Sequence, residues 1–454
     1  MSTAPANNAS APVSRASKSS PAKLTLLPMI AATYFIVAGG PYGLEDIVHK
    51  TGYRATLLIL VLTPLLWSVP TAMMVSELAT SIPDEGGFYI WVRRGLGPFW
   101  GYQETWLSLA GSIFEMAIYP NLFVDYIGQL APSLIAGHRG LALGFGMIAL
   151  CTIWNLVGSR AVGDGSIFLN ILLLSPFAVL IGFALFHSHP GIPRATPLHH
   201  ADLLGGILIA MWNYMGWDNM STVAGEVDNP QRTYSRTMLG ALILVIVTYL
   251  APVAAVARTG LDPNAWVTGG WVDVGRFFGG EALAVAITGA GVIGAIGTFG
   301  GLMMSFTRLP SVMASDGFLP KLFTRESART GTPWVSVIAC ALLWALCFPL
   351  GFEHSLLLDV LLTGLSILLE FWALAALRIR EPNMPRPYRV PGGLVGAIAI
   401  GLPPMALMIA TLVRNSHELV GDTSQLVIAL VIIAAGAALY YFSLLFRPRS
   451  RAQT

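Results

Sequence analysis

The sequence is poor in charged residues. Only 11% of its 454 residues are Asp, Glu, Lys or Arg, whereas 55% are hydrophobic. An ordinary soluble domain carries about a quarter charged residues. A chain this apolar has too few charged side chains to cover a surface that faces water, so we expect it to lie in lipid. The composition therefore excludes a soluble enzyme.

The sequence also has little excess of basic over acidic residues and few cysteines. The net charge is only +2, which argues against a nucleic-acid-binding surface. The three cysteines, Cys151, Cys340 and Cys347, lie far apart within apolar runs, with neither metal-ligand spacing nor a disulfide framework. The spans also lack the HExxH, GxSxG and P-loop motifs. We therefore expect no metal, no cofactor, no nucleic-acid partner and no enzymatic activity.

What the sequence has in abundance is apolar stretches long enough to cross about 30 Å of hydrocarbon. About twelve are present, at 25–49, 54–80, 99–128, 140–157, 166–187, 203–225, 234–257, 279–307, 333–350, 355–377, 394–413 and 424–446. They predict an all-α polytopic membrane protein. The segment 1–22 is rich in Ser, Ala, Pro and Asn, which is typical of a disordered tail, and it has no apolar core of a signal peptide.

Loop charge predicts the orientation. With a cytoplasmic N-terminus, 19 of the 26 Lys and Arg residues fall on the cytoplasmic side. We therefore expect both termini in the cytoplasm, with the chain crossing the cell membrane, which is the inner membrane in a bacterium.

Two of the predicted spans are interrupted. Span one contains Ala38-Gly39-Gly40-Pro41-Tyr42-Gly43, and span six contains Tyr214-Met215-Gly216-Trp217-Asp218-Asn219. Backbone unwinds at membrane depth only where it lines a cavity or is buried in protein. Breaks five spans apart are typical of two inverted five-helix repeats with the substrate site between them. We expect Gly39, Gly40 and Tyr42 to contact substrate there; a kink that only permits close helix packing is the alternative.

The repeats set the expected domain boundaries. The first repeat, with spans one to five, covers 23–190, and the second, with spans six to ten, covers 200–380. Spans eleven and twelve cover 390–447. Residues 1–22 and 448–454 are expected to be cytoplasmic tails.

Acidic residues occur at membrane depth, where an ionisable group is costly unless it is paired or hydrated. Span three holds Glu104 and Glu115, eleven residues apart and so on one helix face, with Tyr119 one turn beyond Glu115. Asp218 follows the break in span six, and Glu370 lies in span ten. No Lys or Arg lies deep in a span. This pattern predicts a cationic substrate, protons, or both.

Glu115 and Asp218 are candidates to bind separate ammonium groups, and Trp212, Tyr214 and Tyr119 are candidates to supply cation–π faces. Six acids, Asp218 among them, also have a structural or gating interpretation. These interpretations are a helix cap for Asp218, a buried hydrogen bond for Glu370, helix-dipole partners for Glu45 and Asp46, an interfacial position for Asp125, and gating or pairing with loop arginines for Glu226.

Several stretches carry a family resemblance. They are VAGGPYGLED (37–46), ELATSIPDEGG (77–87), GPFWGYQE (97–104), Tyr119-Pro120 with Asp125-Tyr126, WDNMSTVAGEVDNP (217–230) and PRPYRVP (385–391). On these residues the sequence resembles the amino acid–polyamine–organocation superfamily, and within it the plant-type polyamine uptake transporters. The resemblance implies a LeuT-like 5+5 inverted repeat with broken helices one and six, two extra helices, and proton-coupled uptake.

The resemblance also implies roles for single residues. Amino acid members hold the substrate carboxylate with a Gly-Ser-Gly break, which reads Gly39-Gly40-Pro41 here, so a serine and one N–H are missing. By position, Glu115 contacts the substrate side chain, Trp212 is the aromatic residue of the broken sixth helix, and Asp218 lies near a gating position. The lysine that some members place in span five is absent from 166–186, so Glu115, Asp218 and Glu370 become the proton-coupling candidates.

The favoured prediction is a secondary transporter that imports polyamines or related organic cations with protons by alternating access. A proton-coupled amino acid permease or exchanger is the first alternative, and it would require a substrate carboxylate. A channel would not show saturable, gradient-driven accumulation, and a membrane-embedded enzyme has no readable motif. The expected partners are a small-molecule substrate (polyamine or amino acid), protons and the lipid bilayer; the sequence leaves the oligomeric state open.

Overall fold

The computed structural model describes residues 23–186, 201–259, 261–266, 269–350, 352–414, 419–420 and 423–446. The two predicted tails, at 1–22 and 448–454, lie outside these ranges. The α-helices are α1 (Leu26–Val37), α2 (Leu44–Thr63), α3 (Val69–Ser81), α4 (Phe88–Leu96), α5 (Pro98–Leu130), α6 (Pro132–Ile135), α7 (Arg139–Val157), α8 (Ser159–Phe186), α9 (Leu203–Asn213), α10 (Pro230–Ala257), α11 (Trp271–Phe306), α12 (Arg308–Ser315), α13 (Trp334–Cys347), α14 (Phe352–Arg380), α15 (Gly393–Ala399), α16 (Leu402–Arg414) and α17 (Gln425–Phe446).

Short elements connect them. A π-helical turn at Pro64–Ser68 joins α2 to α3, and 3₁₀ helices occupy Asn219–Glu226, Pro263–Ala265, Lys321–Thr324 and Phe348–Leu350. Two short strands, Leu419–Val420 and Thr423–Ser424, pair antiparallel before α17.

Twelve apolar helical stretches match the twelve predicted spans. In the described part of the chain, nine are long and apolar enough to cross a membrane, and α1, α9 and α13 are shorter apolar helices. The short α1 and α9 end at the two interruptions that the sequence predicted. The all-α polytopic fold with broken first and sixth spans is thus confirmed.

Glycines make the first break. Gly39, Gly40 and Gly43 have φ of 59°, 100° and 86° between the end of α1 and the start of α2. A residue with a Cβ is strained at such φ, so glycine is needed here. The second half of span one is short, because α2 bends at Gly52 (φ 70°, ψ 164°) and then continues as span two.

The second break differs in detail from expectation. After α9, Gly216 takes φ of 90° and the chain resumes as a 3₁₀ helix rather than an α-helix. Asp218 stands just before this 3₁₀ helix, but its side chain makes no capping hydrogen bond. Ser305 on α11 donates to the carbonyl of Asn219 at 2.8 Å and holds the segment against α11. Tertiary contacts, not a side-chain cap, therefore position it.

Two predicted boundaries also shift. Span five begins at Ser159 rather than 166, since the polar turn that precedes the apolar run is already helical. Span eleven is divided between α15 and α16, because two prolines at the start of α16 cannot donate the backbone hydrogen bonds that a continuous helix needs.

Helices α5 and α14 form the centre of the bundle and run antiparallel. Ser108 and Ser366 share a hydrogen bond of 2.7 Å, and Gly111 lies directly against Thr363. A step of three residues forward along α5, from Ser108 to Gly111, therefore corresponds to a step of three residues back along α14, from Ser366 to Thr363. Small residues at this contact let the two backbones approach closely. In contrast, α17 has many exposed apolar side chains, which suits contact with lipid.

Candidate functional site

A small cavity lies where the two breaks meet α5 and α11. The space inside it that water can occupy is about 20 Å³, enough for about one water molecule. It is lined by Ala38, Gly39, Tyr42, Tyr119, Leu122, Tyr126, Trp212, Gly291, Gly294, Ala295 and Thr298. Four predicted substrate-binding residues are among them, Gly39, Tyr42, Tyr119 and Trp212. The structure thus brings span one, span three and span six together at one site.

Aromatic rings form most of the cavity wall. The rings of Tyr119 and Trp212 are stacked, with centroids 6.3 Å apart and planes 25° apart. Tyr42 meets the ring of Tyr126 edge-on at 4.7 Å. Such a wall offers apolar surface to a methylene chain and π faces to a cation.

Glycines on α11 let this helix approach the first break. A Cβ added to Gly294 would lie 2.4 Å from the carbonyl oxygen of Gly39, and one added to Gly39 would lie 2.3 Å from the Oγ1 of Thr298. Real Cβ atoms do not come this close to other atoms, so both glycines are required by space. The broken backbone is therefore clamped directly against α11.

Two carboxylates stand behind tyrosines of the wall. The hydroxyl of Tyr119 donates to Oε1 of Glu115 at 3.4 Å, and that of Tyr126 donates to Oε1 of Glu45 at 2.7 Å. Glu45 Oε1 also accepts from the backbone N–H of Gly269 at 3.2 Å. Glu115 does not line the cavity itself; Tyr119 separates the two.

Five buried acids extend from this point between α5, α14 and the second break, and we call them the acidic cluster: Glu104, Glu115, Asp218, Asp359 and Glu370. Asp359 and Asp218 lie close enough to act electrostatically on Glu115, and Asp218 and Glu104 act on Glu370. Asp218 therefore connects the cavity end of the cluster to its other end.

The members of the acidic cluster differ in their hydrogen bonding. Glu104 accepts from Ser108 at 3.0 Å and Ser366 at 2.9 Å. By contrast, both carboxylate oxygens of Glu370 lack a hydrogen-bond partner among the described residues. The same is true of Oδ1 of Asp218. A buried carboxylate oxygen without a donor is costly, and a bound proton or cation removes that cost.

Asp359 was missed in the sequence. It is 1% exposed and accepts from Thr363 at 2.9 Å. It lies eleven residues before Glu370, the same spacing that joins Glu104 to Glu115 on the antiparallel partner helix. That repeated spacing in two apolar spans was the signal that would have found it.

Tyr126 and Thr298 were also missed as site residues. Tyr126 follows Tyr119 by seven residues, two helical turns, so it shares the same face of α5. Thr298 lines the cavity with a buried hydroxyl that has no hydrogen-bond partner among the described residues. A single threonine in an apolar run carries no sequence signal of this kind.

Four predicted substrate-binding residues do not line the cavity, Glu115 among them. Tyr214 donates its hydroxyl to the carbonyl of Leu60 at 3.0 Å and packs against the ring of Tyr249, away from the site. Gly40 lies beside Leu173 and Tyr42. Asp218 belongs to the acidic cluster instead. Position at a break therefore did not by itself decide which side chains reach the cavity.

Ion pairs close the bundle at the end where α5 begins, which we call the basic end. Buried Glu77 pairs with Arg378 at 2.5 Å and with Arg386 at 3.2 Å. Glu226 pairs with the buried Arg308 at 3.2 Å and accepts a short hydrogen bond from Ser159. Burial, and secondarily the charge of Glu226, raise the pKa of the nearby Glu85. Glu226 therefore pairs with an arginine and does not line the cavity.

Aromatic side chains close the opposite end, which we call the aromatic end. The indole of Trp271 donates to the carbonyl of Pro41 at 2.8 Å and so ties the start of α11 to the first break. Its ring meets those of Phe177 at 5.4 Å and Trp266 at 4.8 Å. These contacts pack the aromatic end against the first break.

Comparison with known proteins agrees with this architecture. Residues 29–444 match the family profile described as amino acid permease. The chain is 32% identical to "Polyamine transporter PUT1" of Oryza sativa subsp. japonica over 93% of this chain and 78% of that protein. It is 31% identical to "Polyamine transporter RMV1" of Arabidopsis thaliana over 85% of this chain and 79% of that protein.

A bacterial relative is more distant. The chain is 28% identical to "Serine/threonine exchanger SteT" of Bacillus subtilis (strain 168), over 81% of this chain and 84% of that protein. The profile match covers most of the chain, and the plant relatives exceed 30% identity over most of theirs. Together with the broken spans and the cavity between them, these matches show that the chain is a membrane transporter of the amino acid permease family, within the amino acid–polyamine–organocation superfamily.

Proposed function

We propose that the protein imports polyamines or related organic cations together with protons, by alternating access around this cavity. The observation that carries this proposal is the charge next to the cavity. Three buried acids, Glu115, Asp218 and Asp359, stand behind the aromatic wall, and within the described ranges none of them pairs with a basic side chain. A cation fits this environment, because it meets unbalanced negative charge and π faces together. The two plant relatives named as polyamine transporters support the same substrate class.

An amino acid substrate is the second candidate, and the similarity to a serine/threonine exchanger favours it. Such a substrate needs donors for its carboxylate. Pro41 has no N–H to offer at the first break. The N–H of Gly39 already donates to the carbonyl of Tyr34 at 3.4 Å. The break therefore offers few donors to a substrate carboxylate.

We assign proton coupling to the acidic cluster. Glu115, Asp218 and Glu370 are the coupling residues, with Glu104 and Asp359 as their neighbours. In support, α8 contains no lysine that would replace a coupling cation, and Asp218 acts electrostatically on both Glu115 and Glu370. Glu226, paired with Arg308, is assigned to gating at the basic end.

The same proposal includes the arrangement in the membrane. The basic end faces the cytoplasm of the cell membrane, and both termini lie inside, in line with the 19 basic residues on that side. Residues 23–190 and 200–380 form the two inverted repeats, and the repeats rock about the cavity. Spans eleven and twelve, in 390–447, add a lipid-facing layer.

The test is uptake of labelled putrescine and spermidine into proteoliposomes, with and without an inward proton gradient. Unlabelled arginine, leucine and serine are the competitors, and protein-free liposomes are the control. We expect gradient-driven, saturable uptake that the amino acids do not reduce. Uptake or exchange of an amino acid without any polyamine uptake would contradict the proposal and support the second candidate.

A further inference from the structure

The cavity has a tyrosine–carboxylate pair on each of two sides. Tyr119 and Tyr126 lie two turns apart on one face of α5, which separates them by about 10 Å along the helix axis. Both line the cavity. Behind the first stands Glu115, and behind the second stands Glu45, which belongs to α2 at the aromatic end. The sequence interpretation of Glu45 as a helix-dipole partner does not anticipate this second pair.

The carboxylates of Glu115 and Glu45 have the same pattern of hydrogen bonding. Each has one oxygen that accepts from the tyrosine hydroxyl, while the other, Oε2, is buried and has no hydrogen-bond partner among the described residues. Neither is in an ion pair within the described ranges. The neighbouring charge acting on Glu45 is that of Asp46, also an acid. Each site therefore lacks a cationic donor.

The cavity that the two tyrosines share is lined largely by apolar groups. Leu122, Trp212 and Gly291 are among them, and the hydroxyl of Thr298 adds a polar atom. Carboxylates at two ends and hydrocarbon between them match a linear molecule with an ammonium group at each end and methylenes in the middle.

We propose that Glu45 and Tyr126 form a second ammonium subsite, opposite Glu115 and Tyr119, so that the transporter recognises a linear di- or polyamine by both ends. This inference rests on the proposed function, because it specifies how that same site selects its substrate. Glu45 is then a specificity-determining residue. Gly269, which donates to the same carboxylate from the segment before α11, couples occupation of this subsite to closure of the aromatic end.

The experiment compares a diamine with the monoamine of equal carbon number. Uptake of labelled putrescine into proteoliposomes is measured with unlabelled putrescine or n-butylamine as competitor. For the wild type we expect putrescine to compete about tenfold better than butylamine. In Glu45→Gln, which keeps the shape but loses the charge, putrescine should weaken about tenfold while butylamine changes less than twofold. Asp125→Asn removes an exposed carboxylate near the same end of α5 as the control and should keep the wild-type ratio.

Other results distinguish a failure of the second subsite from a failure of the proposed function. If Glu45→Gln weakens both amines equally, or neither, the second subsite is wrong although amine transport stands. If the wild type takes up labelled serine but no amine, the proposed function itself fails. Should Glu45→Gln not fold, Glu45→Asp keeps the charge on a shorter side chain and should shift the preference from putrescine towards cadaverine. An unchanged preference in Glu45→Asp would overturn the inference in the same way.

Discussion

Glu370 shows how far a single side chain departs from the usual rule for buried charge. It is fully buried, and neither of its oxygens has a hydrogen-bond partner in the described part of the chain. Buried carboxylates normally have donors. In a soluble protein such a residue would be a defect, but its place beside Asp218 and Glu104 suits the proton-coupling role that we propose for it.

We therefore expect Glu370→Gln to uncouple transport from the proton gradient. The amide has nearly the same size but binds no proton in the physiological range, so substrate uptake should no longer rise with an inward gradient. Polyamine-driven exchange, which needs no net proton movement, should persist. Uptake and exchange assays in proteoliposomes at several internal pH values measure the two activities, and an unchanged gradient dependence would leave Glu370 a structural acid.

Glu77 is a second residue whose charge is fully buried, but it is completely paired. Arg378 and Arg386 surround it, and the backbone N–H of Val390 donates to it at 2.7 Å. Glu77→Ala would leave two arginines unpaired, and loss of one member of a buried ion pair costs about 3–5 kcal/mol. We expect a marked fall in the thermal unfolding midpoint in detergent.

The matched control for this prediction is Arg160→Ala. Arg160 pairs with Asp164 at the surface, where the two side chains are 58% and 55% exposed. Exposed pairs contribute about 0.2–1 kcal/mol. If both variants lowered the midpoint equally, burial of the Glu77 pair would not be the source of its stabilisation.

At the scale of single residues, the sequence located the buried acids but not the side chains around them. Glu115 and Glu370 were found because a carboxylate in an apolar run is conspicuous. The unpaired state of Glu370 and the tyrosine partner of Glu45 depend on contacts more than eighty residues apart in the chain, which no local pattern contains. Tyr214 was assigned to the cavity for the same reason, since its contact with Leu60 is not visible in the sequence.

At the level of helices, the contact between α11 and the first break depends on glycine. Gly294 lies against the Gly39 carbonyl with no room for a methyl group. We expect Gly294→Ala to force the two apart, at a cost of about 1–3 kcal/mol for overpacking, and to reduce uptake. The uptake assay and the unfolding midpoint together measure both effects.

Gly289→Ala is the control on the same helix. Nothing lies within 4 Å of a Cβ added there, and Gly289 is exposed. An alanine at this position has a better helix propensity than glycine, by about 0.5–1 kcal/mol. It should leave uptake unchanged. Equal loss of uptake in both variants would contradict a specific role for the Gly294 contact.

Sequence patterns predicted the existence of these helices better than their ends. Hydropathy located twelve spans because lipid imposes length and apolarity on each. The glycines and proline at 39–43 predicted the first break. The 3₁₀ form of residues 219–226 was not predicted, since Thr222 and Ser305, from different helices, bond to the same carbonyl of Asn219.

Ion pairs lie across the basic end of the molecule, and aromatic rings pack across the aromatic end. Alternating access requires that one seal opens while the other holds. The basic end contains separate pairs, Glu226–Arg308 and Glu77–Arg378 among them, and the Glu226 pair is the less buried of these two. We infer that it opens first.

Glu226→Gln should therefore shift the population towards the state open at the basic end. The readout is the labelling rate of a reporter, Thr298→Cys, which lines the cavity. The three native cysteines are replaced by alanine in this background. A membrane-impermeant thiol reagent added to the basic side should label the reporter faster in Glu226→Gln than with Glu226 intact. Equal rates would show that this ion pair does not gate access.

The spacing of the acids on α5 and α14 has an electrical consequence. Eleven residues separate Glu104 from Glu115 and Asp359 from Glu370, so the two antiparallel helices place acids at two levels about 16 Å apart. A charge that passes between these levels crosses about half of the hydrocarbon thickness. At 100 mV that movement corresponds to about 1 kcal/mol for each elementary charge. The membrane voltage, and not only the pH difference, would then set the direction and the rate of the cycle.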